Sequence, residues 1–352
     1  MLEYAIASCA VAHGWSHYFQ AFLHLFGASV PPTLATDPLS ASAETLASAW
    51  HIGSIPIVFD MPAFVIVLLI TVILVIGIRE SAGFNAGIVA LKLCVVLFVI
   101  VFGAGYVDPA NWHPFFPKGL SGTFSGAAYV FFAYIGFDSI STHAEEARNP
   151  QRDVPIGILT SLALCTVLYI LVAGVLTGMV PWPEIDIDAP IASAFARHGL
   201  TSATLLVSLG AVAGITSVLL AMARDGLLPP RIFAAVHPRF RTPYRSTILV
   251  GFVVATVAAL LPLKVLADLV NIGTLFAFVI VSAAVLVLRR TRPEVHRPFR
   301  TPLVPLVPIL GILSNLTLMI YLGWENWSRL IIWLLIGLTI YALYGRRHSH
   351  LK

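Results

Sequence analysis

Long apolar runs separated by short polar stretches are the dominant pattern of this chain. Each run has about the 20 residues that an α-helix needs to cross the hydrocarbon core of a bilayer. None shows the alternation of barrel strands, so each is predicted to be a transmembrane helix. The ten runs lie near residues 4–26, 57–78, 84–107, 121–144, 155–180, 202–223, 246–263, 265–288, 302–323 and 327–344. Because no hydrophilic linker separates them, residues 1–352 are expected to form one all-α, polytopic membrane domain.

The composition also indicates a membrane protein and excludes an ordinary soluble enzyme. Hydrophobic residues make up 58% of the 352 residues, charged residues only 11%, and the mean hydropathy is +0.90. A soluble protein of this length carries about 25% charged residues. The net charge of +4 comes from loops between the apolar runs. We interpret it as a determinant of topology and expect no nucleic-acid binding.

The basic residues fall mainly in alternate loops. If the first run crosses outward, the inner loops and the termini contain 16 of the 21 lysine and arginine residues. Positively charged loops are retained in the cytoplasm. Both termini are therefore predicted to be cytoplasmic, and the number of helices to be even. The arginines of the inner loops are also expected to contact membrane lipid.

Lys92 lies deep inside the third apolar run, in the stretch GIVALKLCVVLFVIVFG. It is about eight residues, or roughly 12 Å, from the start of that run. One interpretation is a buried amine that faces the interior of the helix bundle and carries a proton. The alternative is a lysine whose side chain extends to the inner membrane surface.

Three other polar residues interrupt the apolar runs. In the segment HGWSH, His13 and His17 are one helical turn apart. This is a metal-ligand spacing, but two histidines without a third ligand predict no metal site. Hydrogen bonds between helices, or the lining of a cavity, are the favoured interpretation. Asp60 precedes Met61 and Pro62 and is interpreted as a helix cap or a partner of the helix dipole.

Motifs of common enzymes are absent from the sequence. There is no HExxH, no Walker loop, no CxxC and no GxSxG with partners in order. The three cysteines, Cys9, Cys94 and Cys165, lie in apolar runs and are expected to be packing residues. No enzymatic activity and no cofactor are therefore expected.

The stretch FFAYIGFDSISTHAEEARNPQRD, residues 131–153, breaks the apolar pattern. Gly136 lies among aromatic residues, and Asp138 follows two residues later. Glycine weakens a helix, and an aspartate in lipid needs a partner. This combination favours a discontinuous helix of the kind that forms midplane sites in secondary transporters. The alternative is an intact helix in which Gly136 provides a packing notch.

The same stretch resembles the sixth helix and the following loop of the bacterial cationic amino acid transporter family. That family is part of the amino acid–polyamine–organocation superfamily. The segments LVAGVLTGMVPW, AMARDGLLPP, LVNIGTLFAF and RPFRTPLVPLVPILG resemble family signatures too, so the similarity covers essentially the whole chain. The resemblance implies a LeuT-type fold of two inverted five-helix repeats and two additional helices. It also implies proton-coupled amino acid uptake by alternating access in the bacterial cytoplasmic membrane.

The resemblance places the substrate site in the predicted break. Backbone carbonyls of the unwound stretch would receive the substrate ammonium group. Phe132 and Phe137 would form aromatic walls or gates, and Asp138 would support the break. The unwound stretch consists of Phe132, Ala133, Tyr134, Ile135 and Gly136.

The resemblance also implies how proton coupling would work. Lys92 matches the lysine of the family's fifth helix, which resembles a built-in replacement for a sodium ion. Thr216 and Ser217 match the eighth-helix region beside that lysine. Lys92 is therefore expected to couple protonation to transport, with Thr216 and Ser217 in support.

Two departures from the family pattern modify this expectation. The family has twelve helices, and Met1 aligns with the start of the third, so about ten helices are expected. The glycine-rich break of the family's first helix, which receives the substrate carboxylate, has no counterpart in the sequence. The eighth helix is also shorter by roughly three turns, or about 16 Å. The alternative function is therefore a truncated, non-transporting membrane protein, either a binding or sensing relic or an assembly subunit.

Overall fold

A computed structural model describes residues 2–76, 82–137, 149–211, 244–295, 297, 299–340 and 342. The α-helices in chain order are α1 (Leu2–His24), α2 (Ala43–Ser48), α3 (Met61–Ile76), α4 (Ala82–Gly103), α5 (Gly119–Val130), α6 (Pro150–Met179), α7 (Pro190–Arg197), α8 (Thr201–Ala211), α9 (Tyr244–Leu260), α10 (Leu263–Thr291), α11 (Leu306–Tyr321) and α12 (Trp324–Ile340). These helices belong to two compact units. The first comprises Met1–Phe115 and Cys165–Leu266, and the second comprises Phe116–Leu164 and Ala267–Lys352.

The described helices agree in position with the predicted spans, since each of the ten apolar runs overlaps one of them. Within the described residues, three helical segments are long and apolar enough to cross a membrane: Val89–Tyr106, Pro150–Met179 and Leu263–Thr291. The α11 and α12 helices meet the same criterion only as a pair, and they are bent by 113° relative to each other. The number of ten transmembrane helices and the LeuT-type arrangement therefore stay predictions.

A short β-hairpin interrupts the otherwise helical structure of the described residues, as the all-α expectation did not foresee. Strands β1 (Trp50–Ile52) and β2 (Ile55–Ile57) pair antiparallel, with Trp50 opposite Ile57. Gly53, with a φ of +66°, supplies the turn. The run predicted at 57–78 thus begins in a strand, and its helix starts only at Met61. Each strand has only three residues, which is too short for a strand pattern to be recognised in the sequence beside an apolar helix.

Small side chains allow α1, α3 and α9 to pack closely in the first unit. Ala12 of α1, Ala63 of α3 and Ala258 of α9 are all completely buried. A Cβ atom on Gly251 of α9 would overlap the side chain of Thr71 on α3. The absence of a side chain at Gly251 therefore sets the separation between these two helices.

A second core of the first unit positions the loop that follows α6. The side chain of Phe195 on α7 is completely buried, and Val180 and Ala189 at the two ends of the loop are buried with it. Tyr18 of α1 packs against this cluster. The loop is thereby held beside α1, and it carries the exposed residue Asp188 to that helix.

The core of the second unit joins α5 to α10 and α11. Ala128 of α5, Leu275 of α10 and Met319 of α11 are completely buried in one cluster, which also contains Leu322 and Leu330. This packing fixes the C-terminal end of α5. The predicted break in the chain begins at that end.

Candidate functional site

The helix that begins at Gly119 does not continue through the predicted break. The α5 helix ends at Val130 and is followed by a 3₁₀ turn, Phe131–Tyr134. Ile135 is extended, with φ −61° and ψ 136°. Gly136 then has a φ of +108°, a conformation that side chains other than glycine rarely adopt. The predicted discontinuity within 121–144 is confirmed as far as residue 137.

The reason for glycine at position 136 is conformational. A Cβ atom built on Gly136 would have no heavy atom within 4 Å. The alternative interpretation, an intact helix with a packing notch, is therefore wrong for the described residues. Glycine at position 136 is explained by the positive φ and not by a lack of space for a side chain.

Asn271 of α10 bonds the end of α5. Its side chain is completely buried, and its Nδ2 donates to the carbonyl oxygens of Ala128 at 3.0 Å and of Tyr129 at 3.2 Å. The last carbonyls of a helix lack partners in their own helix. Asn271 thus satisfies two carbonyls at the point where the helix stops. From the sequence alone, an interior position for Asn271 was as plausible as an interfacial one.

Aromatic rings bracket the break. The ring of Phe278 on α10 is 6.0 Å from the ring of Phe131 and 5.4 Å from that of Phe137, measured between centroids. Phe132 and Phe137 are both half-buried, whereas Ala133 is exposed. The sequence did not predict Phe278 as a site residue, although it is the last residue of LVNIGTLFAF, the segment that resembles a family signature and contains Asn271.

The end of α5 has the electrostatic character of a cation site. The C-terminal end of a helix carries a partial negative charge and presents carbonyl oxygens. Within the turn, the Phe132 carbonyl accepts a hydrogen bond from the Ile135 N–H at 3.2 Å. A cationic group is therefore favoured beside this segment over an anionic one.

A buried polar cluster occupies the first unit. Asp60 is completely buried, and its Oδ1 accepts hydrogen bonds from the Ser16 hydroxyl at 2.6 Å and the Ala63 N–H at 3.0 Å. The latter bond confirms the prediction that Asp60 caps α3. His13 and His17 contact each other within α1, with their Nε2 atoms 3.1 Å apart. The predicted hydrogen bonds between helices, or the lining of a cavity, stay predictions.

Amino acid permeases match this chain over nearly its whole length. The family model described as amino acid permease matches residues 3–341. The chain belongs to the amino acid permease family. As a member of that family, it is an integral membrane transport protein and not an enzyme.

Several characterised permeases and transporters are similar to this permease. A methylthioribose transporter of Bacillus subtilis is 46% identical over 100% of this chain and 76% of its own length. A branched-chain amino acid permease of the same organism is 44% identical over the same shares. A vacuolar cationic amino acid transporter 2 of Arabidopsis thaliana is 40% identical over 84% of this chain and 47% of its own length. The predicted family membership is thereby confirmed.

The remaining predicted site residues of the permease have different outcomes. Lys92 lies on α4 in the first unit and is half-buried, whereas the break belongs to the second unit. Its role in proton coupling stays a prediction. Asp138, Thr216 and Ser217 lie outside the described residues.

Proposed function

We propose that this permease carries out secondary active transport of amino acids by alternating access, coupled to protons. The observation that carries the proposal is the end of α5, where the helix stops and the chain turns through Gly136. The partial negative charge of that helix end suits the ammonium group that all amino acids share. This is also the arrangement that discontinuous helices provide at substrate sites of secondary transporters.

The proposed substrate site comprises the segment from Phe132 to Phe137. Backbone carbonyls of the turn would receive the ammonium group, and the rings of Phe132 and Phe137 would enclose the remainder of the substrate. Phe278 supports this enclosure, because its ring lies against Phe137. Asn271 would keep the helix end rigid by bonding the last carbonyls.

The proposed ammonium site does not distinguish amino acids by their side chains, so the substrate must be identified with a panel of candidate compounds. The names of similar proteins include methylthioribose, branched-chain amino acids and cationic amino acids. Ammonium recognition favours an amino acid over a thiosugar. We therefore expect leucine or arginine to be accumulated and methylthioribose to compete weakly.

Uptake by proteoliposomes that contain the full chain tests the substrate site. We expect accumulation of a radiolabelled amino acid in wild type and about a tenfold or larger loss in Gly136→Ala. The reason is that alanine at positive φ costs about 1–2 kcal/mol and reshapes the turn. The matched control is Gly126→Ala on α5, where the glycine is exposed and has no atom within 4 Å of a built Cβ.

The same assay tests proton coupling through Lys92. With an imposed pH gradient, Lys92→Ala is expected to abolish accumulation while amino acid exchange persists. Lys264→Ala, at an exposed lysine on α10, is the control and should behave like wild type. Proton-driven accumulation that survives Lys92→Ala would contradict the coupling role. Binding of an amino acid without any accumulation would favour the non-transporting alternative over transport.

A further inference from the structure

Four ionisable side chains form a row from the surface of the first unit into its core. Asp188 at one end has 67% of its side chain exposed, and Asp60 at the other end has none. His17 and His13 lie between them, one turn apart on α1. We name these four residues the histidine path.

Each contact along the histidine path joins a different pair of atoms. Asp188 Oδ1 is 3.5 Å from His17 Nδ1, His17 Nε2 is 3.1 Å from His13 Nε2, and His13 Nδ1 is 3.4 Å from Asp60 Oδ2. Each imidazole therefore has one nitrogen within 3.5 Å of a carboxylate oxygen and the other 3.1 Å from the second imidazole. His13 Nδ1 and Asp60 Oδ2 are close but form no hydrogen bond in this arrangement. This is the arrangement in which a ring can accept a proton on one nitrogen and release it from the other.

Two neutral imidazole rings supply too few protons to place one at each junction of the histidine path. A neutral imidazole has one N–H, so two rings supply two protons. Three junctions need three protons if both carboxylates are ionised. Without the third proton, two lone pairs face each other at one junction. One proton more than the two neutral rings supply is therefore needed to fill all three junctions at once.

We infer that the histidine path binds one excess proton from water and conducts it to the Asp60 carboxylate. The proton first forms an N–H bond at His17 Nδ1, on the side of exposed Asp188. The His17 Nε2–H bond then breaks as His13 Nε2 gains a proton, and His13 Nδ1–H transfers its proton to Asp60 Oδ2. Asp60 becomes neutral, and its Oδ1 still accepts from Ser16 and Ala63.

Further polar groups lie beside the two rings of the path. Asp37, a third carboxylate near the rings, is completely buried, and its Oδ1 accepts the N–H groups of Leu39 and Ser40. From α9, the backbone of Ala258 faces His13. In the described part of the chain no three His, Cys, Asp or Glu side chains converge on a metal position. A linear row with two carboxylate ends suits a proton.

This inference goes beyond substrate transport, and its test needs no substrate. The full chain with ¹⁵N-labelled histidine is placed in lipid nanodiscs and titrated by solid-state NMR. We expect a coupling between the Nε2 atoms of His13 and His17, and one common pH midpoint for both rings. Asp188→Asn removes one carboxylate and should lower that midpoint by about one pH unit or more. His24→Gln, at an exposed histidine of α1, should change neither signal.

A kinetic measurement separates conduction from a structural role. Infrared spectra after a pH jump follow the protonated carboxyl band of Asp60, which is assigned by its loss in Asp60→Asn. His17→Gln should slow the appearance of this band about tenfold or more. The final amplitude should be unchanged if the variant folds like wild type. The inference is overturned if His13 and His17 titrate independently. It is equally overturned if the Asp60 band never appears or appears as fast in His17→Gln as in wild type.

Discussion

Gly136 and Asn271 act on the same helix end by different means. Gly136 supplies a backbone conformation that other residues rarely adopt, with φ +108°. The Asn271 amide donates to two carbonyls in the last turn of the helix, those of Ala128 and Tyr129. The break thus depends on one residue without a side chain and on one whose side chain is completely buried.

Replacing Asn271 by leucine should destabilise the second unit. The change leaves the buried Ala128 carbonyl without this donor and removes one donor from the Tyr129 carbonyl, at an expected cost of about 1–3 kcal/mol. Thermal unfolding in detergent should show a lower midpoint for Asn271→Leu. Asn315→Leu is the control, because the Asn315 amide bonds the Gly311 carbonyl of its own helix and should matter less. Equal midpoints for the two variants would contradict the capping role.

Residues that act through their own backbone could be predicted from the sequence, whereas residues that act through distant partners could not. Gly136 was identified because a glycine among aromatic residues and before an aspartate is unusual in an apolar run. Asn271 was not assigned, because its partners lie more than 140 positions earlier. The row from Asp188 to Asp60 was not predicted for the same reason, because the sequence relates His13 to His17 but neither of them to Asp60 or Asp188.

At the scale of elements, helix separation in the first unit depends on α3 and α9. Thr71 of α3 is buried and directs its hydroxyl to the Val67 carbonyl of its own helix at 2.8 Å. Its side chain therefore occupies the space that a side chain at Gly251 would need. Close approach through small residues is the usual basis of helix association in membranes.

Gly251→Ala should force α3 and α9 apart. Overpacking of this kind costs about 1–3 kcal/mol, so we expect a lower thermal midpoint in detergent. Gly157→Ala on α6, where a Cβ would meet nothing within 4 Å, is the matched control. Thr71→Ala in the Gly251→Ala background should restore part of the loss, because it removes the two atoms beyond the Thr71 Cβ. An additive effect of the two substitutions would contradict the proposed contact.

Element positions were predictable because the length of an apolar run is a strong signal, but element ends were not. The helix predicted from 57 starts at Met61, and the one predicted from 302 starts at Leu306. In both cases proline lies at or near the true start, at Pro62 and at Pro305. Apolar residues outside the helix extended the predicted runs, since hydropathy does not distinguish a strand or a turn from a helix.

At the scale of the whole molecule, the charge distribution predicts sidedness. The basic loops alternate with acidic ones along the chain, and both termini are predicted to be cytoplasmic, which favours an even number of crossings. The β-hairpin and the path residue Asp188 would then lie on the outer side. The arginines that follow α10 would lie on the cytoplasmic side.

Cysteine labelling in intact cells tests this orientation. In a background with Cys9, Cys94 and Cys165 replaced by alanine, Ser54→Cys in the hairpin should react with a membrane-impermeant maleimide. Glu294→Cys, in the exposed loop after α10, should react only after permeabilisation. The opposite pattern, or labelling of both sites from outside, would contradict the predicted topology.

The hydrogen bonds of Asp60 and Cys9 to α9 affect the assembly of the protein during synthesis. Its backbone N–H donates to the Ala259 carbonyl of α9 at 3.0 Å, and Cys9 donates to the Val254 carbonyl of the same helix. These partners are roughly 200 residues or more later in the chain, which a ribosome takes about 10–40 s to make. Over that interval, α1 and α3 are already synthesised, but the Asp60 N–H and the Cys9 thiol still lack their acceptors on α9. Nascent protein is therefore most exposed to degradation, and most dependent on insertion factors, before α9 emerges.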